Sequence, residues 1–434
     1  MDGRVVVGMI LLGMSAISWR LFGSWFCPSA FWSTLWGLLY LGQALLAPNY
    51  LFWGPGAAWI VAMNGLFGLG ALLAWFMTAS HPMSARKEKP DRFVETNFRR
   101  WFTVIAIVGM LGGGASIAYS VRVSGVPNLG SLLTVGSAIR ASLQETSAPP
   151  LIRYSTYFNY IGSVLGGIYL SKFGFRRRMF LPLLVLVLDG LTAQAKAGIL
   201  IAVTMYAWGT YVGLVVKHDS RRDFYMIGMG GMLLVGMLPL VAIVASLRNA
   251  RVDWQFIGGT GNQLDIVYNY AFGSVTAFDY YFTFFPRSDL FWGRQSLAGL
   301  ADLVGLYARQ GGLYSEHVIV DAHSGGWTNV FTMFRYLIDD FGLIGTSGIV
   351  LVLGWGMTFI YRQVVRSYQV NDKTALLACG YVLLTWFPIT ALTAYNSFIA
   401  TTLLSTLVLM FCTRWVVRFQ PHRKPAPHLA YEKP

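Results

Sequence analysis

The stretch VDAHSGGWTNVFTMFRYLIDDFGLIG, residues 320–345, joins a polar turn to the start of a long apolar run. From Thr328 onward its apolar side chains recur with helical spacing on one face. Arg335 and Asp339 lie four residues apart on the other face, so we expect them to pair. Gly342 is placed to end the helix. The stretch predicts an amphipathic helix outside a membrane that leads straight into a spanning helix at 342–361.

The composition indicates that lipid surrounds most of the chain. Of 434 residues, 55% are hydrophobic and only 12% are charged, with a mean hydropathy of +0.53. Soluble domains carry about 25% charged residues. We therefore predict an all-α polytopic membrane protein.

Apolar runs of about 17–25 residues mark the candidate spans. Eleven such runs lie near 4–19, 30–47, 57–78, 101–120, 156–171, 179–195, 197–216, 224–245, 342–361, 374–393 and 397–413. The predicted organisation is eight spans within 1–245 with an outer segment near 121–155, a loop subdomain with amphipathic helices at 246–341, three spans within 342–413, and a basic tail at 414–434. Because loops beyond about 15 residues usually carry function, the segment 246–341 is the first place to look for a site.

The net charge of +14 is explained by membrane topology. With the N-terminus outside, 22 of the 33 Lys and Arg residues fall on the inner side. Nucleic acid is not needed as a partner to explain this basicity. The three cysteines, Cys27, Cys379 and Cys412, lie in or beside apolar segments, and they predict neither a disulfide framework nor a metal site.

Two histidines, His317 and His323, fall in the late outer loop with acidic residues beside them. Histidine is the side chain most often used to move protons near neutral pH. We predict His323 as a general base, with Asp321 or Glu316 as its orienter or substitute. The alternative is that His323 is an ordinary loop residue.

Two segments carry a resemblance to a known family. TNVFTMFRYLIDDFGLIG (328–345) and VSGVPNLGSL (123–132) resemble stretches of bacterial O-antigen polymerases of the Wzy type, within a wider group of membrane glycosyltransferases that includes the O-antigen ligases. The likeness covers the topology of the whole chain and short motifs within it. It implies a GT-C-like fold with a large, partly helical periplasmic loop before a late span, in the bacterial inner membrane.

The resemblance also implies a reaction. Such enzymes join oligosaccharide repeat units carried on undecaprenyl pyrophosphate at the periplasmic face, and they release undecaprenyl pyrophosphate. The expected partners are the lipid-linked donor and acceptor, membrane lipids and a Wzz-type chain-length regulator. No cofactor, metal ion or nucleotide sugar is expected.

An anionic leaving group requires cations outside the membrane to bind it. The planar guanidinium group of arginine can donate two hydrogen bonds to phosphate oxygens. The candidates for pyrophosphate binding are Arg335, Arg122, Lys196 and Arg294. Arg335 has the alternative of pairing only with Asp339, and Lys196 that of snorkelling at a helix end.

Aromatic side chains are dense over 278–294. We predict that Tyr280, Tyr281 and Trp292 stack on sugar faces, with an interfacial aromatic belt as the alternative.

Two other functions stay open at this point. An O-antigen ligase would use the same donor with lipid A core as acceptor. A lipid-linked oligosaccharide flippase is less favoured, because coupled transporters place ionisable residues within their spans. In this chain Asp189 and Lys196 lie near span ends.

Overall fold

A computed structural model of the protein describes residues 2–79, 92–124, 149–192, 196–217, 219, 221–229, 263–284, 290–297, 317–323, 325–328 and 331–366. This part of the chain is mostly helical. In chain order its elements are α1 (Gly3–Phe22), α2 (Pro28–Leu46), α3 (Pro55–Ala79), α4 (Arg92–Ser124), α5 (Pro150–Phe173), a 3-10 turn (Arg177–Phe180), α6 (Leu181–Thr192), α7 (Lys196–Val216), α8 (Gln263–Phe284), β1 (Val318–Ile319), β2 (Trp327–Thr328) and α9 (Met333–Val365). Residues 222–229 are also helical.

The first seven predicted spans each coincide with a helix, α1 to α7. Within the described residues, four helices are long and apolar enough to cross a membrane: Gly3–Phe22, Pro55–Thr78, Phe98–Val123 and Met333–Val365. The predicted spans at 374–393 and 397–413, and most of 224–245, lie outside the described residues, as do the tail at 414–434 and most of the segment 121–155. The total of eleven spans stays a prediction.

Small residues let the helices approach closely, which is how helices associate in a membrane. A Cβ at Gly354 of α9 would lie 2.2 Å from the Phe67 carbonyl oxygen of α3. Ser347 contacts Met63 near one end of this pair, and Arg366 contacts Thr78 near the other. The residue numbers rise together, so α3 and α9 run parallel.

The other helix contacts follow the same rule. In the antiparallel pair α1–α2, a Cβ at Gly8 would lie 3.2 Å from the Gly37 carbonyl oxygen. In the parallel pair α5–α7, a Cβ at Gly209 would lie 2.2 Å from the Val164 carbonyl oxygen. Helices α1, α2, α3 and α9 pack together as a first group, and α4 to α7 pack together as a second group. The two groups meet where Ser24, just after α1, contacts Tyr211 of α7.

The described helices have two chemically different ends. One end, called here the site end, comprises the start of α1, the end of α2, the start of α3, the β1–β2 hairpin and the start of α9. The opposite end, called the basic end, carries a group of cations: Arg20, Lys172, Arg176, Arg177, Arg178, Lys217, Arg221, Arg222, Arg362 and Arg366. This distribution is the one expected if the basic end faces the cytoplasm.

Helix α8 falls within the segment predicted to be a loop subdomain with amphipathic helices, although the sequence did not place a helix at 263–284. It lies across the site end. Its Asn269 side chain donates to the Trp327 carbonyl of β2, Gln43 of α2 donates to Thr276, and Phe282 stacks on Trp59 of α3. Its apolar face is buried in the same core as the spanning helices. Part of the segment 246–341 is therefore integral to the helix bundle.

Helix α9 breaks where the sequence predicts. Gly342 has φ 67° and ψ −176°, a conformation open in practice only to glycine, and two helical halves meet there. The first half is predicted to be an amphipathic helix outside a membrane, but its polar side does not face solvent, because Arg335 is 3% exposed and Asp340 is 0% exposed. Helices α2 and α8 and the turn at 290–297 cover that side.

Candidate active site at the break in α9

Arg335 lies in the first turn of α9 and is buried among aromatic rings. Its guanidinium carbon is 3.9 Å from the Phe331 ring centroid and 4.9 Å from that of Tyr281. Its Nε is 3.8 Å from an Asp339 carboxylate oxygen, which confirms the predicted pairing at i, i+4. Aromatic faces and a carboxylate together compensate the cost of burying this charge.

Asp339 joins α9 to α8. Its Oδ1 accepts a short hydrogen bond from the Tyr281 hydroxyl, and its backbone carbonyl accepts from the Phe291 N–H at 3.0 Å. Its side chain is 16% exposed, against 3% for that of Arg335. Asp339 is thus the most accessible charged group of this buried cluster.

Asp340 fixes the turn at 290–297. Its carboxylate accepts from the backbone N–H of Gln295 at 3.2 Å and from the backbone and hydroxyl of Ser296 at 2.5 Å. Its carbonyl accepts from the Trp292 N–H at 3.1 Å. The turn therefore holds the exposed Arg294 close to the break in α9.

Trp292 is the most exposed aromatic residue of this turn, at 77%, and its φ is 52°. The left-handed region costs a residue with a side chain about 1–2 kcal/mol. The hydrogen bonds to Asp339 and Asp340 offset that strain. Backbone strain maintained in this way is found at functional sites more often than elsewhere.

The hairpin carries the predicted base. His323 is exposed at its turn, and its backbone N–H donates to Asp321 Oδ1 at 2.8 Å. This bond shapes the turn and does not involve the imidazole ring. The hairpin is attached to the site end by Leu51, whose N–H donates to the Val320 carbonyl at 2.8 Å. Glu316 lies outside the described residues.

The other predicted cations lie on helices of the second group. Arg122 is exposed at the end of α4, which packs on α5 and α6. Lys196 is the first residue of α7, and its side chain is outside the described part. The structure thus places Arg335 and the turn that carries Arg294 at the same break in α9, whereas Arg122 lies at the end of α4.

The predicted glycan platform needs a correction at one residue. Tyr281 is 3% exposed and directs its hydroxyl to Asp339, so it supports the charged cluster and offers no face to a sugar. Tyr280 is half-buried between Trp53 and Phe284, with ring centroids at 5.3 and 5.1 Å. Only Trp292 of the three predicted residues presents a largely exposed ring.

Sequence reasoning missed Asp279. Its carboxylate accepts from the backbone N–H groups of Trp53, Gly54 and Gly56 at 2.7, 2.8 and 2.7 Å, at the start of α3. An anion is stabilised there by free N–H groups and the helix dipole. No sequence signal links residue 279 to that helix start. Asp339 could have been found, since its spacing from Arg335 marks it.

Arg335, Asp339 and Asp340 have a formal charge of −1 together, and the turn bonded to Asp339 and Asp340 carries the exposed Arg294. Among the residues that the structure describes, no three His, Cys, Asp or Glu side chains are grouped as a metal site.

No family model, curated protein or solved structure matches the chain significantly.

Proposed function

We propose that this protein is an O-antigen polymerase of the inner membrane. It joins undecaprenyl-pyrophosphate-linked oligosaccharide repeat units by glycosyl transfer and releases undecaprenyl pyrophosphate. The observation that carries the proposal is the gathering of Arg294, Arg335, Asp339 and Tyr281 at the break in α9. The family resemblance of residues 328–345 supplies the reaction class.

The position of this cluster suits an amphipathic substrate. The part of α9 that follows Gly342 is apolar, and Ile344 in its first turn is 90% exposed, as expected for a side chain in contact with lipid. An isoprenoid tail would stay beside that helix while its pyrophosphate and sugars reach the site end. A reaction centre for such a molecule belongs at this boundary.

The two arginines have different roles in the proposal. Arg294 is exposed and would contact the pyrophosphate oxygens, stabilising the charge that develops on the leaving group. Arg335 is buried and would act by holding Asp339 and Tyr281 in place. Trp292 is the proposed contact for a sugar ring.

The proposed orientation places the site end in the periplasm and the basic end in the cytoplasm. A Wzz-type chain-length regulator is a proposed partner on the periplasmic side. His323, exposed on the hairpin, is available to either substrate from that side.

Reconstitution tests the proposal. The protein is placed in liposomes with undecaprenyl-pyrophosphate-linked repeat units as the only substrate, and the products are separated on a gel. A ladder of lengthening products is the expected result. Transfer that occurs only when lipid A core is added would make the protein a ligase, and no transfer in either condition would overturn the enzyme proposal.

A matched pair of variants tests the site. We expect Arg294→Ala to lower the rate of ladder formation by about 10²-fold, the loss seen when one donor to a developing charge is removed. Arg177→Ala is the control, since Arg177 is also an exposed arginine but lies at the basic end. Equal activity of the two variants would remove Arg294 from the site.

A further inference from the structure

We propose that Asp339 is the general base that takes the proton from the acceptor hydroxyl. This inference rests on the proposed function and deepens it. It moves the role of base from His323, Asp321 and Glu316 to a residue for which the sequence predicted only a pairing with Arg335.

Access is the first argument. A base has to reach the hydroxyl that it deprotonates, directly or through one water. The Asp339 side chain is 16% exposed, whereas the neighbouring Asp340 is 0% exposed and its carboxylate is committed to Gln295 and Ser296. Asp339 is the carboxylate of this pair that a substrate can approach.

Orientation is the second argument. Tyr281 from α8 and Arg335 from α9 hold the two oxygens of the Asp339 carboxylate. A carboxylate offers about four acceptor sites, so these contacts are compatible with a further hydroxyl. Asp321 differs, because its carboxylate shapes its own turn by accepting from the His323 backbone.

The third argument is the link to the leaving-group side. Phe291 and Trp292 donate their backbone N–H groups to the carbonyls of Asp339 and Asp340. The turn that carries Arg294 and the carboxylate of Asp339 are therefore parts of one hydrogen-bonded unit. A base and a phosphate-binding cation held in fixed relation are what a direct displacement requires.

The proposed reaction is a direct displacement at C1 of the donor sugar. The acceptor hydroxyl oxygen attacks C1 of the donor sugar, a new C1–O bond forms, and its proton passes to the Asp339 carboxylate. The bond between C1 and the pyrophosphate oxygen breaks, and its electron pair leaves with undecaprenyl pyrophosphate, whose charge Arg294 stabilises. The proton on Asp339 is then lost to water.

An assay with azide distinguishes a residue that acts as a base from one that has only a structural role. Azide is an anion with no proton to lose, so it can attack C1 without a base. In liposomes containing the lipid-linked donor, we expect Asp339→Ala to lose transfer to the acceptor by about 10²–10⁴-fold. The same variant is expected to form glycosyl azide at nearly the wild-type rate, measured by mass spectrometry.

Asp339→Asn guards against a folding defect. It keeps an oxygen that accepts from Tyr281 but has no useful basicity, and we expect the same separation of the two activities. Asp219→Asn, which alters a carboxylate at the basic end that accepts from the Arg221 N–H, is the control with unchanged activities. Melting temperatures of all variants are compared with that of the wild type.

The outcomes are distinct. Loss of both activities in a folded Asp339→Asn would assign Asp339 a positioning role and overturn the inference. Retention of both activities would overturn it as well. A wild-type protein that transfers to neither acceptor nor azide would overturn the proposed function itself, and the inference with it.

Discussion

Asp279 of α8 accepts hydrogen bonds from the backbone N–H groups at the start of α3. It is 1% exposed and receives three backbone N–H groups at 2.7–2.8 Å. Hydrogen bonds to a charged group are worth about 1.5–3 kcal/mol each, and buried N–H groups left without a partner are costly. This one side chain therefore stabilises both the loop before α3 and the position of α8.

We expect Asp279→Ala to lower the free energy of unfolding by about 3 kcal/mol or more. Asp279→Asn keeps one acceptor oxygen, and its loss should be smaller. Thermal unfolding in detergent measures both. Asp219→Ala is the matched control, because Asp219 accepts a backbone N–H at an exposed turn. Equal melting temperatures for Asp279→Ala and the control would contradict the prediction.

Asp340 is expected to hold the turn at 290–297 closed. Gln295 is 3% exposed, so a cysteine at that position should react slowly with a water-soluble maleimide in a protein whose native cysteines are replaced. Adding Asp340→Asn weakens the bonds to Gln295 and Ser296, and the labelling rate should rise about tenfold for each 1.4 kcal/mol lost. The rate at Leu297→Cys, already 45% exposed, should stay unchanged.

Two carboxylates show how far sequence reasoning reaches at single residues. The pairing of Arg335 with Asp339 could be predicted, because helical spacing alone brings the two side chains together. The contact of Asp279 with Gly56 could not, since 223 residues separate them and the partner is backbone. Burial of Arg335 was missed for a similar reason, as the residues that cover it come from distant parts of the chain.

Gly342 sets the geometry of α9. We expect Gly342→Ala to destabilise the protein by about 1–2 kcal/mol, since a Cβ is strained at φ 67°. Gly348→Ala in the same helix is the control, because its Cβ would meet nothing within 4 Å and alanine favours helix. Thermal unfolding of the two variants compares them, and a melting temperature for Gly342→Ala at or above that of the control would contradict the assignment of the break.

The close contact between α3 and α9 depends on glycine, which has no side chain. A Cβ at Gly354 would lie 2.2 Å from the Phe67 carbonyl oxygen, so Gly354→Ala must push the helices apart, at a cost of about 1–3 kcal/mol. Gly356→Ala, two residues on, meets nothing within 4 Å. We expect only the first variant to lower the unfolding midpoint in a denaturing detergent titration. Equal midpoints would mean that the helices do not pack at Gly354.

Whether a helix could be predicted from the sequence depended on how continuous its apolar residues are. Helices α1 to α7 were predicted because their apolar runs are long and continuous. Helix α8 was not, because Asp265, Asn269 and Asp279 interrupt its apolar residues. The side chains of Asn269 and Asp279 are satisfied by the hairpin and the start of α3, which a search for hydrophobic runs cannot anticipate.

The whole molecule is expected to expose its two ends on opposite sides of the membrane. His323→Cys at the site end and Arg177→Cys at the basic end are both exposed positions. With the native cysteines replaced, a membrane-impermeant maleimide should label His323→Cys in spheroplasts and Arg177→Cys only after permeabilisation. Labelling of both from one side would contradict the two-ended arrangement, and the reverse pattern would contradict the proposed orientation.

The contact between Asp279 and the start of α3 has a consequence for synthesis. A ribosome makes residues 53–56 long before it makes residue 279, so the emerging helices lack a carboxylate that their finished form requires. Until α8 arrives, the N–H groups of Trp53, Gly54 and Gly56 depend on water, lipid headgroups or an insertion chaperone. Nascent chains halted before residue 279 should therefore be degraded by membrane proteases faster than chains halted after residue 284.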